Sequence, residues 1–431
     1  MLEAENNQEQ NPSATARSAV NVEDLSEWIA KTNDSVLRVF ISDPQTSKGG
    51  FNPVTTYAVT CECPGNPHLN TTVRRRYSDF EFLLNLLKKR YSGMILPSLP
   101  EKQAILKSER FIILRIRGLN RWFEKILERP FIKSDANVQE FLCVEFDEQS
   151  EGADMSQMKK RWKEDGDINW LERPHIRRWR DQLSLQNLPD TSEGIIAEMF
   201  AHFSKQKDAL TKFLSAVQTS ESKTNTQSQA NDAFSNATAN AEAAAFAALE
   251  KHGEDTEVQP EVLTAIKGIA AVWHELTVSY QNFSSVTQGG MARVYSDLLQ
   301  VKVKETIADY NAALDTIGLI KNMRYSLTGS ENALVSYENS LVKMREKRGD
   351  QDPKVESTVE NIRLEKEKIA SYRAEILAIQ RALVCVELES FVSECAADHK
   401  SLLGSVASLQ TACAAQRKSV WDNLATAVLN I

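Results

Sequence analysis

Two rhythms of hydrophobic positions divide the chain. Between Val36 and Val73, β-branched, aromatic and apolar residues come in short runs, Val36–Ile41, Thr55–Cys61 and Thr71–Val73. Gly49-Gly50, Asn52-Pro53 and Pro64-Gly65-Asn66-Pro67 separate them. Short runs bounded by turn formers predict an antiparallel meander of three strands. At Phe80 the period changes. Phe80, Leu83, Leu84 and Leu87 recur at i, i+3, i+4 and i+7 and predict an amphipathic helix, with Ser78 and Asp79 as N-cap choices. A second helix is expected from about Glu109 to Leu127, with Arg115, Leu119, Trp122 and Ile126 on one face and Pro130 as its stop. A short helix follows over Ser134–Phe146. Between the two main helices, Leu96-Pro97-Ser98-Leu99-Pro100-Glu101-Lys102 reads as an extended, polyproline-like loop. Behind it, Ala104, Ile105 and Leu106 form an apolar patch that suits either local packing or a wedge dipped into a bilayer.

From Thr191 onward the pattern is helical. Proline occurs there at Pro260 and Pro353, which predicts three very long helices, about 191–252, 261–348 and 354–429. The second would be about 130 Å long at 1.5 Å per residue. Val262, Ile266, Ile269, Trp273, Leu276, Tyr280 and Phe283 alternate in steps of four and three. Val355, Val359, Ile362, Ile369, Tyr372, Ile376, Ile379, Leu383 and Val386 keep the same rule with one gap. Sustained heptads predict long, left-handed coiled packing. Gly289-Gly290 is the expected kink in the second helix, and Met344–Asp350 is its sharpest reversal. Residues 1–21 are polar and read as disordered. In the connector 148–190, Lys159, Lys160, Arg161, Lys163, Arg173, Arg177, Arg178 and Arg180 alternate with Trp162, Trp170 and Trp179. That mixture fits an interfacial segment, and it fits somewhat better a strap that clamps two domains together with its tryptophans packed inside. The fold class expected is multidomain α+β, a small sheet-and-helix domain followed by an all-α coiled domain.

Charge sharpens this division. The chain of 431 residues has a net charge of −8, which argues against general nucleic-acid binding. From Asn70 to Lys133 there are 15 Lys/Arg against 6 Asp/Glu, so this stretch carries +9 and the remainder −17. A basic module on an acidic body points to an anionic partner. Six scattered cysteines suit a reducing compartment and core packing better than a metal or disulfide framework. Met1–Arg17 has no signal-peptide pattern, and no window of about 18 apolar residues predicts a membrane span. No phosphate-cradling Gly-x-x-x-x-Gly-Lys, zinc-binding His-Glu-x-x-His or nucleophilic Gly-x-Ser-x-Gly occurs, so an enzyme is not expected and no cofactor or metal is implied.

The basic module centres on Arg74-Arg75-Arg76-Tyr77, at the junction of the third strand and the first helix. A guanidinium fork matches phosphate geometry, a neighbouring ring offers a platform for a sugar or inositol, and a helix N-terminus favours an anion. An arginine at 115 on an otherwise apolar face wants a counter-charge, from a carboxylate or a ligand.

Three motifs in order, Arg-Arg-Tyr-Ser-Asp-Phe at 75–80, Pro-x-x-Pro-x-Lys at 97–102 and Arg-x-x-Gly-Leu at 115–119, resemble the PX domain, the phosphoinositide-binding module of sorting nexins, over residues 30–147. The resemblance implies that Arg76 holds the 3-phosphate of phosphatidylinositol 3-phosphate. It further implies that Tyr77 stacks under the inositol, Lys102 meets the 1-phosphate and Arg115 bonds ring hydroxyls. Arg75 then supports the fold, and Arg74 supplies nonspecific attraction or helps a second phosphate. Three long antiparallel helices over 191–431 resemble the BAR domain of the PX–BAR sorting nexins, and Ala414–Leu424 looks like the end of the sorting nexin eight branch. This implies a homodimer or higher oligomer, peripheral on the cytosolic face of endosomes, that senses or bends membranes for cargo retrieval, with unassigned cargo or coat partners. Lys343, Arg345, Lys347 and Arg348 would be basic contacts at the BAR tip. The acidic helical body shifts the expected lipid affinity to the PX module. The competing reading is a coiled-coil adaptor whose PX fold mainly binds protein.

Overall fold

The computed structural model describes residues 37–46, 54–62, 70–102, 109–143, 158–160, 162, 174–252, 260–287, 295 and 299–429. The expected disorder of 1–21, the kink at Gly289-Gly290, the patch Ala104-Ile105-Leu106 and Trp170 lie outside the described residues. The chain divides into two units, Met1–Tyr91 with Leu99–Gln182, and Ser92–Ser98 with Leu183–Ile431.

In the first unit, β1 (Arg38–Thr46), β2 (Thr55–Glu62) and β3 (Thr71–Arg76) form an antiparallel sheet in sequence order. A bulge between Ser42 and Gln45 breaks the β1–β2 register, with Asp43 at φ 41°, a conformation that Asp tolerates better than most residues. The third strand runs directly into α1 (Tyr77–Arg90), whose Phe80, Leu83, Leu84 and Leu87 are all buried. α2 spans Glu109–Leu127 and buries Leu119, Trp122, Phe123 and Ile126. Phe80 meets Trp122, Phe123 and Phe141 edge-on at ring-centroid distances of 6.4, 5.9 and 5.2 Å. These are the favoured geometries for aromatic pairs.

Pro130 does more than stop a helix, because it opens the short α3 (Pro130–Lys133). The helix expected over 134–146 is described as α4 (Ala136–Cys143). Asp135 starts it later, since its carboxylate accepts the N–H groups of Asn137 (2.8 Å) and Val138 (3.3 Å). Connector residues complete this unit. Trp162 stacks on Phe82 at 6.0 Å and donates through Nε1 to Glu140 at 2.6 Å. Trp179, on α5 (Pro174–Ser184), packs edge-on against Tyr91 at 5.4 Å. Both indoles are buried within this unit.

The second unit is helical, with α6 (Ser192–His252), α7 (Pro260–Ser285), α8 (Val301–Arg348), α9 (Pro353–Ala382) and α10 (Leu388–Leu429). Asp352 caps α9 by accepting the Lys354 N–H, with Pro353 at the first helical position. Partner residues ascend on one helix as they descend on the next. Ser228, Thr238 and Glu242 meet Ser284, Thr277 and His274, and Glu331 and Glu338 meet Arg373 and Lys366. Lys302 and Tyr295 likewise meet Ser401 and Gln410. The packing is therefore antiparallel. Its aromatic centre is Phe203, Tyr310 and Phe391, with centroids 5.1–5.8 Å apart.

Two heptad expectations are corrected in part. Large residues of α7 line only part of the α6–α7 seam, where Tyr280 stacks on Phe234 at 5.2 Å while Val262 and Ile269 are 48% and 52% exposed. Small polar residues share it, with Ser228 on α6 bonded to Ser284 on α7 and Thr238 to Thr277, and Asn231, Ser235 and Ala270 buried nearby along the two helices. Hydroxyl pairs there let the backbones approach and satisfy one another. The third long helix contains a π-helical turn, Leu383–Glu387. Such a turn inserts a residue into the helical ladder and rotates everything after it. Val386, expected in the seam, is 45% exposed, while Glu387 is turned in and 4% exposed.

Glu387 has a partner in this unit, because its carboxylate accepts the Ile95 N–H at 3.0 Å. Ser98 Oγ donates to the Ala308 carbonyl at 3.1 Å, and Ile95 joins the buried helical cluster. Gly93 sits at φ +96°, and a Cβ there would lie 2.7 Å from Ala382 Cβ and 3.0 Å from Ile379 Cα. Gly93→Ala is therefore expected to destabilise the protein by about 2 kcal/mol, from backbone strain and overlap together. Thermal unfolding checks this, and an unchanged midpoint would mean that the segment does not seat against these helices.

Candidate functional site

The three arginines have three different fates, fixed by strand alternation and by what each meets. Arg74 is tied down. Its guanidinium pairs with Asp43 Oδ2 at 2.9 Å and donates to Asp43 O at 2.8 Å, Thr56 Oγ1 at 3.0 Å and Thr56 O at 3.2 Å. It is a clamp on the bulged edge of the sheet. Arg75 points into the core, donating to Phe141 O at 3.0 Å and Arg74 O at 2.8 Å beside the Phe141 ring. Arg76 is exposed, and its side chain has no hydrogen-bond or ion-pair partner among the described residues.

Arg76 also caps α1, in place of the expected Ser78 or Asp79. Its backbone N–H donates to Asp79 Oδ2 at 2.7 Å, with Asp79 at the third helical position. The backbone of Arg76 is therefore fixed at a helix N-terminus, where the dipole favours an anion, and its guanidinium projects from that point.

Tyr77 follows at the first helical position. Its hydroxyl donates to the Pro100 carbonyl, which pins the proline loop to the ring. Gly118 explains the other side of that loop, because a Cβ at 118 would lie 2.7 Å from Pro100 Cβ. Only a glycine on α2 lets the loop lie this close. With the loop seated, the Glu101 carbonyl accepts from Arg115 Nη2 at 3.3 Å. The Arg115 guanidinium stacks 4.3 Å from the Tyr77 centroid and 4.3 Å from that of Phe111. Arg115 is 7% exposed, and its Nε has no hydrogen-bond partner among the described residues. Lys102, at the end of the loop, is mostly exposed and pairs with Glu81 on α1 at 2.7 Å. That pairing was not visible in the sequence, where Lys102 and Glu81 lie 21 positions apart.

The structure thus brings Tyr77, Arg115, Pro100 and Glu101 into contact, sets Arg76 beside Tyr77 along the chain, and holds Lys102 to the same helix through Glu81. This is a polar, net cationic corner with an aromatic floor, suited to an anionic ring compound. Burial pushes the Tyr77 phenol up to about 12, aided by Glu81 and opposed by the Arg115 guanidinium. The fold therefore favours the neutral phenol. Its contribution to stability is complete below the ordinary value near 10 and is lost as pH rises through about 12. Spectroscopic titration of wild type against Tyr77→Phe is expected to show this phenol ionising near 12, and a midpoint at 10 would contradict its burial.

The basic tip residues lie at the end of α8. Lys343, Arg345 and Lys347 are exposed, and Arg345 pairs with Asp350 at 3.0 Å. The side chain of Arg348 is outside the described set. Gly349, at φ 79°, ends the helix. Among the described residues, no group of acidic, histidine and cysteine side chains could hold a metal, and no helix is long and apolar enough to cross a membrane.

A PX domain family model matches residues 64–145. The vacuolar protein sorting-associated protein vps5 of Schizosaccharomyces pombe is 36% identical over 109 residues, 24% of this chain and 19% of that protein. Sorting nexin mvp1 of Aspergillus fumigatus is 42% identical over 74 residues, 17% of this chain and 10% of that protein. Sorting nexin-3 of Aspergillus oryzae is 29% identical over 108 residues, 24% of this chain and 76% of that protein. The matches to vps5 and mvp1 thus span a fifth or less of each relative's length. The cryo-EM structure of the SNX-BAR Mvp1 tetramer is similar with a TM-score of 0.51 at 17% identity, covering 90% of this chain and 99% of that one. That likeness shows a common fold beyond the PX match. The chain thus carries a PX domain similar to those of sorting nexins, and its fold over most of its length is like that of the SNX-BAR Mvp1.

Proposed function

We propose that the protein binds phosphatidylinositol 3-phosphate on the cytosolic face of endosomal membranes and dimerises through its long helices. It would sense or generate curvature there for tubule-based cargo sorting and retrieval, as an adaptor rather than an enzyme. In this reading Arg76 takes the 3-phosphate, Tyr77 underlies the inositol ring, Lys102 exchanges Glu81 for the 1-phosphate, and Arg115 bonds ring hydroxyls. The observation that carries the reading is Arg115. A guanidinium buried between Tyr77 and Phe111, with Nε unmatched among the described residues, is costly unless a ligand completes it. The PX match and the names of the trafficking relatives support the same reading.

Dimerisation is supported by apolar side chains that the helices leave uncovered. Phe234 on α6 and Val262 and Ile269 on α7 are about half exposed. The tetramer named for Mvp1 supports assembly beyond the dimer. Two lipid sites on one dimer gain effective concentration, so modest single-site affinity suffices. The test is flotation with vesicles of graded diameter, with and without phosphatidylinositol 3-phosphate, beside mass in solution. Lipid-dependent binding by a dimer or larger species is expected. Binding that ignores the 3-phosphate would refute the reading.

A further inference from the structure

We propose that Lys159, which lies beyond the PX match, is a positioning residue of the lipid site, holding the Asp79 carboxylate so that Asp79 fixes Arg76 at the N-terminus of α1. The inference rests on the lipid-binding role argued above for Arg76.

Asp79 is 3% exposed, and its two oxygens are divided between two partners. Oδ2 accepts the Arg76 N–H at 2.7 Å, and Oδ1 accepts from Lys159 Nζ at 2.6 Å. A carboxylate this deeply buried requires a cation close by. The Arg76 guanidinium, exposed at the surface, does not supply it. Lys159 does so from 80 positions along the chain.

The lysine is itself held in place. Its ammonium lies 5.6 Å from the Phe82 centroid, and Phe82 stacks on Trp162 at 6.0 Å. Trp162 is fixed in turn by its bond to Glu140. The path from connector to lipid site is therefore Trp162 to Phe82 and Lys159, Lys159 to Asp79, and Asp79 to the backbone of Arg76. Without the ammonium, Asp79 gains by turning toward water. That change weakens the cap and leaves the Arg76 backbone free to shift. Placement errors of this kind cost affinity because a phosphate is read by the direction of the guanidinium fork.

The test uses the full chain with Lys159→Met, which keeps the apolar stem over Phe82, Lys159→Arg, which keeps the charge, and Arg76→Ala. Binding is measured to phosphatidylcholine vesicles with and without phosphatidylinositol 3-phosphate, over a range of salt concentrations. Amide exchange is followed at Arg76. Lys159→Met is expected to weaken binding about fivefold, the loss of roughly one hydrogen bond's worth of order. It should also speed exchange at Arg76 and leave the salt dependence of binding as in wild type. Lys159→Arg should restore both affinity and exchange. Unchanged exchange at Arg76 in Lys159→Met would overturn the positioning role, whatever Arg76→Ala does. Unchanged exchange with a flattened salt dependence would do the same by making Lys159 a direct phosphate contact. Wild-type binding by Arg76→Ala would remove the lipid reading instead, a failure distinguishable from that of Lys159.

Discussion

Arg76→Ala is expected to reduce binding to vesicles containing phosphatidylinositol 3-phosphate by at least about tenfold, with no loss of thermal stability. The affinity loss follows from removing a charge-assisted, two-pronged contact, worth roughly 1.5–3 kcal/mol. The neutral effect on folding follows from the structure. The side chain is exposed and has no partner among the described residues, while the contact that Arg76 makes to α1 uses its backbone N–H. Arg75→Ala should behave in the opposite way. Its guanidinium is buried against Phe141 and donates to two carbonyls, so its removal costs stability first. A flotation assay run beside a thermal melt separates the two cases. Loss of stability in Arg76→Ala would mean that the guanidinium has a structural role.

Asp135→Ala is expected to be the most damaging single change to folding, at about 3–5 kcal/mol. Asp135 is fully buried and lies 3.6 Å from the Arg90 guanidinium, which is itself buried. It accepts the Tyr91 hydroxyl at 3.0 Å and caps α4 through the Asn137 and Val138 N–H groups. Truncation takes the carboxylate from a buried cation that also contacts the neutral Asn137 Oδ1, removes one acceptor of the Tyr91 hydroxyl, which keeps the Phe131 carbonyl, and uncaps α4 together. Asp135→Asn keeps the shape and an acceptor for the cap, so it should cost less. Denaturant unfolding of the two variants tests this order. Equal, small losses would mean that water reaches Arg90.

Much of the PX fold was legible because its elements obey strong local rules. The three strands, the apolar face at Phe80, Leu83, Leu84 and Leu87 and the span of α2 follow from periodicity and turn residues alone. Gly118 and Pro100 could be read as parts of motifs, but their reason emerged only in three dimensions, as one ring lying where a Cβ would stand. The tie of Arg74 to Asp43 was not legible, because Asp43 sits 31 positions away in a bulge that no local pattern announces. Lys102 with Glu81 and Asp79 with Lys159 are likewise long-range pairings of ordinary charged residues.

In the helical unit, heptad reading found the antiparallel helices but misplaced two of their faces. It searches for large apolar residues, whereas the α6–α7 seam mixes the Phe234–Tyr280 stack with buried Ser, Thr and Asn. It also assumes an unbroken ladder, whereas the π turn at Leu383–Glu387 exchanges Val386 for Glu387 at the interior. The exchange has a consequence, since the inward Glu387 receives the Ile95 N–H.

The proposed function requires that Arg76, Tyr77, Lys102 and Arg115 form one headgroup site. Its most direct measurement is titration of the full chain with soluble, short-chain phosphatidylinositol 3-phosphate, following the guanidinium Nε–H signals of Arg76 and Arg115. Saturable binding should move both signals together, with phosphatidylinositol lacking the 3-phosphate moving neither. Saturable binding that leaves both arginines unmoved, or no binding at all, would contradict the proposal.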